Sequence, residues 1–302
     1  MKNTLIVILG PTGVGKTDIA IDIALHFNSE IISADSRQFY KEMVIGTAPP
    51  SPEQLSSVKH HFVGFLPVEE YYSASIFERA VLDLLQTLFS KNDIVVMVGG
   101  STLYVDAVCN GIDDIPDVQP EIREKYQQMF KDEGIEGLRL ALKITDPSHY
   151  EKVDLKNPRR LMRALEICES TGRPYSSFLT GKKRERDFDI IKIGITRQRE
   201  NLYNRINARV DKMVEAGLEE EARRLYPKRD LTALNTVGYK EFFEYFDGKI
   251  SRETAIDLIK RDSRRYAKRQ MTWWGNRDDI HWFNADDNNM EIISFVENLI
   301  ND

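Results

Sequence analysis

The chain has 302 residues, 41% of them hydrophobic, and a formal net charge of −6, a size that suits one large domain or a core with a second small one. No stretch is long and apolar enough to cross a membrane, and two cysteines are too few for a disulfide framework or a zinc finger. The acidic balance, taken alone, argues against nucleic acid.

The first element is the most informative. Leu5 to Leu9 is a short apolar run that reads as a buried strand and is too brief for a signal peptide. Gly10-Pro11-Thr12-Gly13-Val14-Gly15-Lys16-Thr17 then matches the phosphate-loop pattern G-x-x-x-x-G-K-[ST] in full. Asp18 to Phe27 follows with helical spacing, placing Ile19, Ile23 and Phe27 on one face. In such a strand–loop–helix unit the glycines let the backbone curl round an anion, and N–H groups at the helix start point at it. Lys16 adds a point charge, and Thr17 offers a hydroxyl to a magnesium ion. The motif predicts a polyphosphate ligand without saying which.

Glu30 to Ser33 reads as a second strand, and Asp35 stands just past it in Ser33-Ala34-Asp35-Ser36-Arg37-Gln38. A carboxylate at the mouth of a sheet can hold magnesium or accept a proton; an Asx turn or a helix cap accounts for the same position. Ser75 and Glu78 read as a capping box opening a helix to about Phe89. Asp93 to Val98 is an unbroken apolar strand of the kind a buried parallel sheet needs. It ends in Gly99-Gly100 and a helix from about Ser101, without the strand-end acid by which phosphoryl-transferring NTPases hold magnesium. Motor and GTPase readings are weakened accordingly. Strands alternating with helices predict an α/β fold, a P-loop NTPase-like parallel sheet. Ligands gather beyond the carboxyl ends of such strands, so the phosphate loop, the segment after Ser33 and the turn after Val98 should face one cleft.

From residue 113 the texture changes. Residues 113–187 read as a helical insertion into a core made of 1–112 and 188–302. One of its helices is well marked, with Asn157 as N-cap, Pro158 at the first position, Leu161, Leu165 and Cys168 on one face, and Gly172 and Pro174 ending it. Arg159, Arg160 and Arg163 in its first turns suit a phosphate backbone, or an ordinary wet face. A charged run, Lys182 to Arg186, closes the insertion, and Phe188 to Ile195 returns to strand alternation. Thr196 is the expected cap of the next helix, Gly217 its stop, and Ser251 the cap of a long helix to about Trp274. Arg205 and Arg209 share a helix face and suit a diphosphate or bulk solvent. Lys260, Arg261, Arg264, Arg265, Lys268 and Arg269 form two adjacent helical stripes before Trp273 and Trp274, a usable footprint for a polyanion. Cys109 and Cys168 read as buried thiols, which makes a reducing cytoplasm the default expectation.

In order along the chain, GPTGVGKT (10–17), SADSRQFY (33–40), IGTAPP (45–50), His60-His61, VGGSTLY (98–104), NPRRLMRALEI (157–167), LYNRINARVDKM (202–213), VGYKE (237–241) and YAKRQMTWW (266–274) resemble the tRNA dimethylallyltransferase, or tRNA isopentenyltransferase, family. The resemblance implies transfer of a dimethylallyl group from dimethylallyl diphosphate to N6 of the adenosine 3′ of a tRNA anticodon, in tRNAs reading codons that begin with U. It implies a magnesium-dependent cytoplasmic monomer in which the substrate's own diphosphate fills the loop from Gly10 to Thr17, helped by Arg205. Asp35 would be the general base, with Thr17 as metal ligand and Ser101 and Arg209 as further catalytic groups. Asp35, Ser36, Arg37, Gln38, Ser101, Arg123, Arg159, Arg160, Leu161, Met162, Arg163, Lys268, Arg269 and Gln270 would contact tRNA, the insertion clamping the anticodon arm. The chain departs from the family pattern at Ser101-Thr102, where threonine and glycine are commoner, and at Val44 and Pro49. The alternatives are prenylation of a free adenylate, a small-molecule kinase, and an RNA-binding module with a retired phosphate loop.

Overall fold

In the computed structural model of the chain, which describes residues 2–181 and 183–301, strands and helices alternate through the first third. These are β1 (Thr4–Leu9), α1 (Lys16–His26), β2 (Ile31–Ser33), α2 (Pro52–Ser57), β3 (His60–His61), α3 (Ala74–Phe89), β4 (Ile94–Gly99) and α4 (Thr102–Asn110). Next come α5 (Pro120–Thr145), α6 (Pro147–Tyr150) and α7 (Pro158–Thr171). The chain then continues through β5 (Asp189–Thr196), α8 (Arg199–Glu215), α9 (Leu218–Leu225), α10 (Tyr239–Phe246), α11 (Arg252–Trp274), β6 (His281–Asn284) and α12 (Asn289–Asn301). Among the described residues no helix is long and apolar enough to cross a membrane.

The strands make one all-parallel sheet in the order β3-β2-β4-β1-β5-β6. The expected P-loop-like α/β architecture is therefore present. Leu5, Val7 and Leu9 of β1 enter one apolar cluster with α3, α9, α10 and part of α11; Ile6 and Ile8 enter a second with α1 and α12. That alternation is the period of a strand covered on both faces. Cys109 and Cys168 are buried free thiols, as expected.

Two compact units are present, Met1–Asn110 with Glu185–Asp302, and Gly111–Arg184. The second has its own core of Tyr126, Leu138, Leu142, Leu161, Ala164 and Leu165. Its helix α7 starts and stops where the residues dictate: the Asn157 side chain accepts from Arg160 N, Pro158 follows, and Gly172 closes with φ 66°. Helix α5 is broken at Gly134, whose φ of 68° is left-handed.

Two local expectations, both about helix caps, are corrected. Helix α3 is capped by Ser73, whose hydroxyl accepts from Ile76 N, so Ser75 and Glu78 are not a capping box. Glu78 is instead buried against Arg186 at 2.6 Å, with side chains 4% and 9% exposed. Arg186 also donates to Val108 O at 2.9 Å and Ala107 O at 2.7 Å, serving the last carbonyls of α4. Thr196 does not cap α8; it pairs with Asn284 as the end of β5, and Gln198 takes the N-cap position. The basic stripes of α11 are largely paired internally. Lys260 meets Asp211 at 2.6 Å, Arg261 and Arg265 share Asp262, and Arg264 donates to Asn207 at 2.6 Å. Lys182, in the charged run, lies outside the described residues.

Candidate active site

All strands run the same way, so the loops after β1, β2, β4 and β5 leave one edge of the sheet. Gly10, Gly13 and Gly15 have φ of 146°, 81° and 112°. A Cβ on Gly10 would sit 2.4 Å from Ile195 O, so the loop closes directly on β5. Lys16 reaches back to donate to Pro11 O at 2.9 Å. Burial pushes its ammonium down to about 8; Asp35 pulls it up, and Arg209 adds to the fall. Arg205 donates from Nε to Gly13 O at 3.1 Å, and Arg209 from Nη2 to the Thr12 hydroxyl at 2.7 Å. Burial also lowers Arg209, against the pull of Asp35, and its Nε is buried with no hydrogen-bond partner among the described residues. Such a donor suits an anion.

Asp35 forms an Asx turn, its Oδ1 accepting from Arg37 N at 3.0 Å. The turn after β4 supports this loop. Ala34 O would lie 2.2 Å from a Cβ on Gly99, and the buried Ser101 hydroxyl accepts from Ser36 N at 2.9 Å and donates to Ser36 Oγ at 3.1 Å. Gln38 is spent internally, donating to Thr47 O and Ala48 O and accepting from the Ser33 hydroxyl. Arg37 leans toward Thr232 O at 3.5 Å. The fold thus brings Lys16, Thr12, Asp35, Ser101 and Arg209 into one neighbourhood.

Three participants were not read from the sequence as they stand here. Gln270, expected as an RNA contact, is 2% exposed and bridges Thr12 N and Gly100 O. Tyr266 turns its hydroxyl toward Gly100 O, 3.5 Å away, and its phenol is pushed up to about 12 by burial first and then by the Asp35 carboxylate. Their spacing of four on α11 is the signal that would have found them together. Glu221, 2% exposed, accepts from the amides of Val44, Ile45 and Gly46 at 2.8 to 3.0 Å and from the Tyr239 hydroxyl at 2.7 Å. It fixes the loop whose carbonyls hold Gln38. No local pattern marks an acid that partners backbone so far away.

The remaining expected residues divide by exposure. Lys268 and Arg269 are exposed, Arg269 lying over the Tyr266 ring at 5.7 Å. Trp273 is 46% exposed with its indole N–H on Asp106. In the second unit Arg159 and Arg160 are exposed and Met162 is half-buried, but Leu161 is wholly in the core. Arg163 lies 3.7 Å from Glu166, whose carboxyl is raised by burial and held back by Arg163 and Arg123.

For a metal, the described residues hold no group of three or more His, Cys, Asp or Glu. The candidate oxygen donors near the loop are the hydroxyls of Thr12 and Thr17 and the carboxylate of Asp35. That set is too small for an all-protein cage. It fits magnesium, which keeps waters and takes phosphate oxygens from a substrate.

Residues 38–277 match the sequence profile of the family described as IPP transferase. A tRNA dimethylallyltransferase of Christiangramia forsetii is 51% identical over 301 residues, covering 100% of both chains. The tRNA dimethylallyltransferase 1 of Phocaeicola vulgatus is 52% identical over 299 residues, covering 99% of each. Among solved structures, the full-length tRNA isopentenylpyrophosphate transferase from Bacillus halodurans superposes with a TM-score of 0.71 at 37% identity, over 98% of this chain and 96% of that one. A eukaryotic dimethylallyltransferase described as acting on tRNA superposes with a TM-score of 0.82 at 26% identity, over 99% and 80%. The likeness carried by scattered motifs holds along nearly the whole chain and in three dimensions: this is an enzyme of the IPP transferase family.

Proposed function

We propose that the enzyme transfers a dimethylallyl group from dimethylallyl diphosphate to N6 of the adenosine 3′-adjacent to the anticodon, in tRNAs reading codons that begin with U, releasing diphosphate. One observation carries this reading. Two half-buried cations, Lys16 and Arg209, stand at the phosphate loop, and the Asp35 carboxylate is close enough to both to favour their charged forms. An adenine amine is a poor nucleophile because its lone pair is delocalised. The allylic carbon compensates by developing cationic character as its C–O bond breaks and the electron pair leaves on diphosphate. Lys16, Arg209 and the loop amides stabilise that leaving charge. As the N6–C bond forms, Asp35 takes the amine proton; Oδ1 is held by Arg37 N, which leaves the other oxygen for the task. Thr17 would hold a magnesium ion, which supplies charge neutralisation at the diphosphate when bound.

The acceptor must leave its stack, at a cost of a few kcal/mol. Arg159, Arg160, Lys268 and Arg269 are the exposed cations suited to the phosphates of the loop that presents it. A small acceptor such as free adenylate has no use for them.

Incubation with labelled dimethylallyl diphosphate and unmodified tRNA tests the reading. Label should appear on an adenosine beside the anticodon; its absence there, or transfer to AMP alone, refutes the assignment. Asp35→Asn keeps an oxygen for the Arg37 amide and removes only the base, so transfer should slow by about 100-fold or more while donor binding persists. A near-normal rate removes Asp35 from proton transfer.

A further inference from the structure

We propose that Gln270 is a positioning residue that fixes the spacing between the donor half and the acceptor half of the site; the proposal rests on the prenyl-transfer reading above. Its carboxamide is almost wholly buried, at 2% exposure. Oε1 accepts from Thr12 N at 2.8 Å, and Nε2 donates to Gly100 O at 2.7 Å. An amide carries an acceptor and a donor at one end, which is what joining a backbone N–H to a backbone C=O requires.

The two partners belong to opposite halves. The Thr12 hydroxyl accepts from Arg209, the cation facing the diphosphate. Gly100 leads into Ser101, whose hydroxyl takes the Ser36 amide and so orients the Asp35 turn. A continuous path therefore runs from Arg209 through Thr12, Gln270, Gly100, Ser101 and Ser36 to Asp35. Gly100 itself argues for the brace. Its φ is not in the left-handed region, so no turn demands glycine there. What a side chain would meet is Gln270, with a Cβ only 2.5 Å from Nε2.

The reaction is sensitive to this spacing. The N6–C bond forms as the C–O bond to diphosphate breaks, and the amine proton passes to Asp35. Amine, allylic carbon and leaving oxygen must be aligned with the reacting atoms about 3–3.5 Å apart, and an error of about 1 Å costs on the order of 100-fold. Loss of the brace should therefore slow transfer without weakening either substrate's grip.

Two variants reach the same amide from opposite sides. Gln270→Met keeps the length and loses both hydrogen bonds. Gly100→Ala keeps Gln270 and displaces its Nε2. Each should lower kcat for tRNA prenylation by about 30- to 100-fold. The Kd values for dimethylallyl diphosphate and for tRNA should stay within about threefold, with a cooperative thermal melt retained. The double variant should be no slower than the slower single one, since both break one link. Unchanged kcat, a loss that appears in Kd instead, or losses that multiply in the double variant would overturn the proposal. So would failure of both variants to fold, which would make Gln270 a stability residue. Wild-type enzyme run alongside separates the two ideas. An inactive wild type ends the prenyl-transfer reading and the brace with it, whereas an active wild type with active variants ends the brace alone.

Discussion

Replacing Lys16 by methionine should make the protein more stable and less useful. Burial takes the ammonium from 10.5 to about 8. At about 1.4 kcal/mol per pH unit, holding it charged at neutral pH costs the fold about 3 kcal/mol. Lys16 is only partly buried, and its hydrogen bond to Pro11 O returns about 1 kcal/mol. The net gain expected for Lys16→Met at pH 7 is therefore about 2 kcal/mol. The sign follows from proton binding. With the folded value below the unfolded one, the unfolded chain binds more protons between about pH 8 and 10.5. Wild-type stability rises across that window, and the variant's advantage shrinks over it. Urea unfolding of both proteins at pH 7 and near pH 10 measures this. A Lys16→Met protein no more stable than wild type at pH 7, or an advantage that does not shrink with pH, refutes the reasoning. The same charge should make donor kcat/KM in the wild type fall above about pH 8, a limb that Lys16→Arg would remove.

Glu221→Gln replaces an acceptor of three backbone amides and a phenol by a group that turns a donor toward some of them; a loss of about 3 kcal/mol is expected in a denaturant melt. Asn157→Ala should cost about 1 kcal/mol through the cap of α7, read as a lower urea midpoint of the helical unit, with no change in donor affinity. Arg205→Ala, at an exposed arginine on Gly13 O, should weaken donor binding by less than about tenfold, whereas Arg209→Ala, half-buried on the Thr12 hydroxyl, should cost more; isothermal titration with the donor ranks them.

What could be read in the sequence was what residues determine locally. The phosphate loop, the helix opened by Asn157 and closed by Gly172, and the cap at Ser251 depend on side chains within a few positions of the backbone they serve. The apolar run of β4 announced a strand covered on both faces. The short edge strands β3 and β6 escaped, because two to four residues carry no usable period. The roles of Gln270 and Glu221 escaped for another reason. Their backbone partners lie 170 or more residues away, and a buried amide or acid is written with the same letter as an exposed one. The paired cations of α11 make the same point, since Asp211 and Asn207 become their neighbours only when α8 packs beside them.

Arg186 has one further bearing. By gripping Ala107, Val108 and Glu78 it staples the outgoing end of the chain to its return, three residues before β5 begins. The register of β5 against β1 is thereby secured at the core's own doorstep. Closure entropy grows only slowly with length, so the excursion through residues 111–184 is free to lengthen, shorten or be exchanged while the sheet it leaves and re-enters keeps its register.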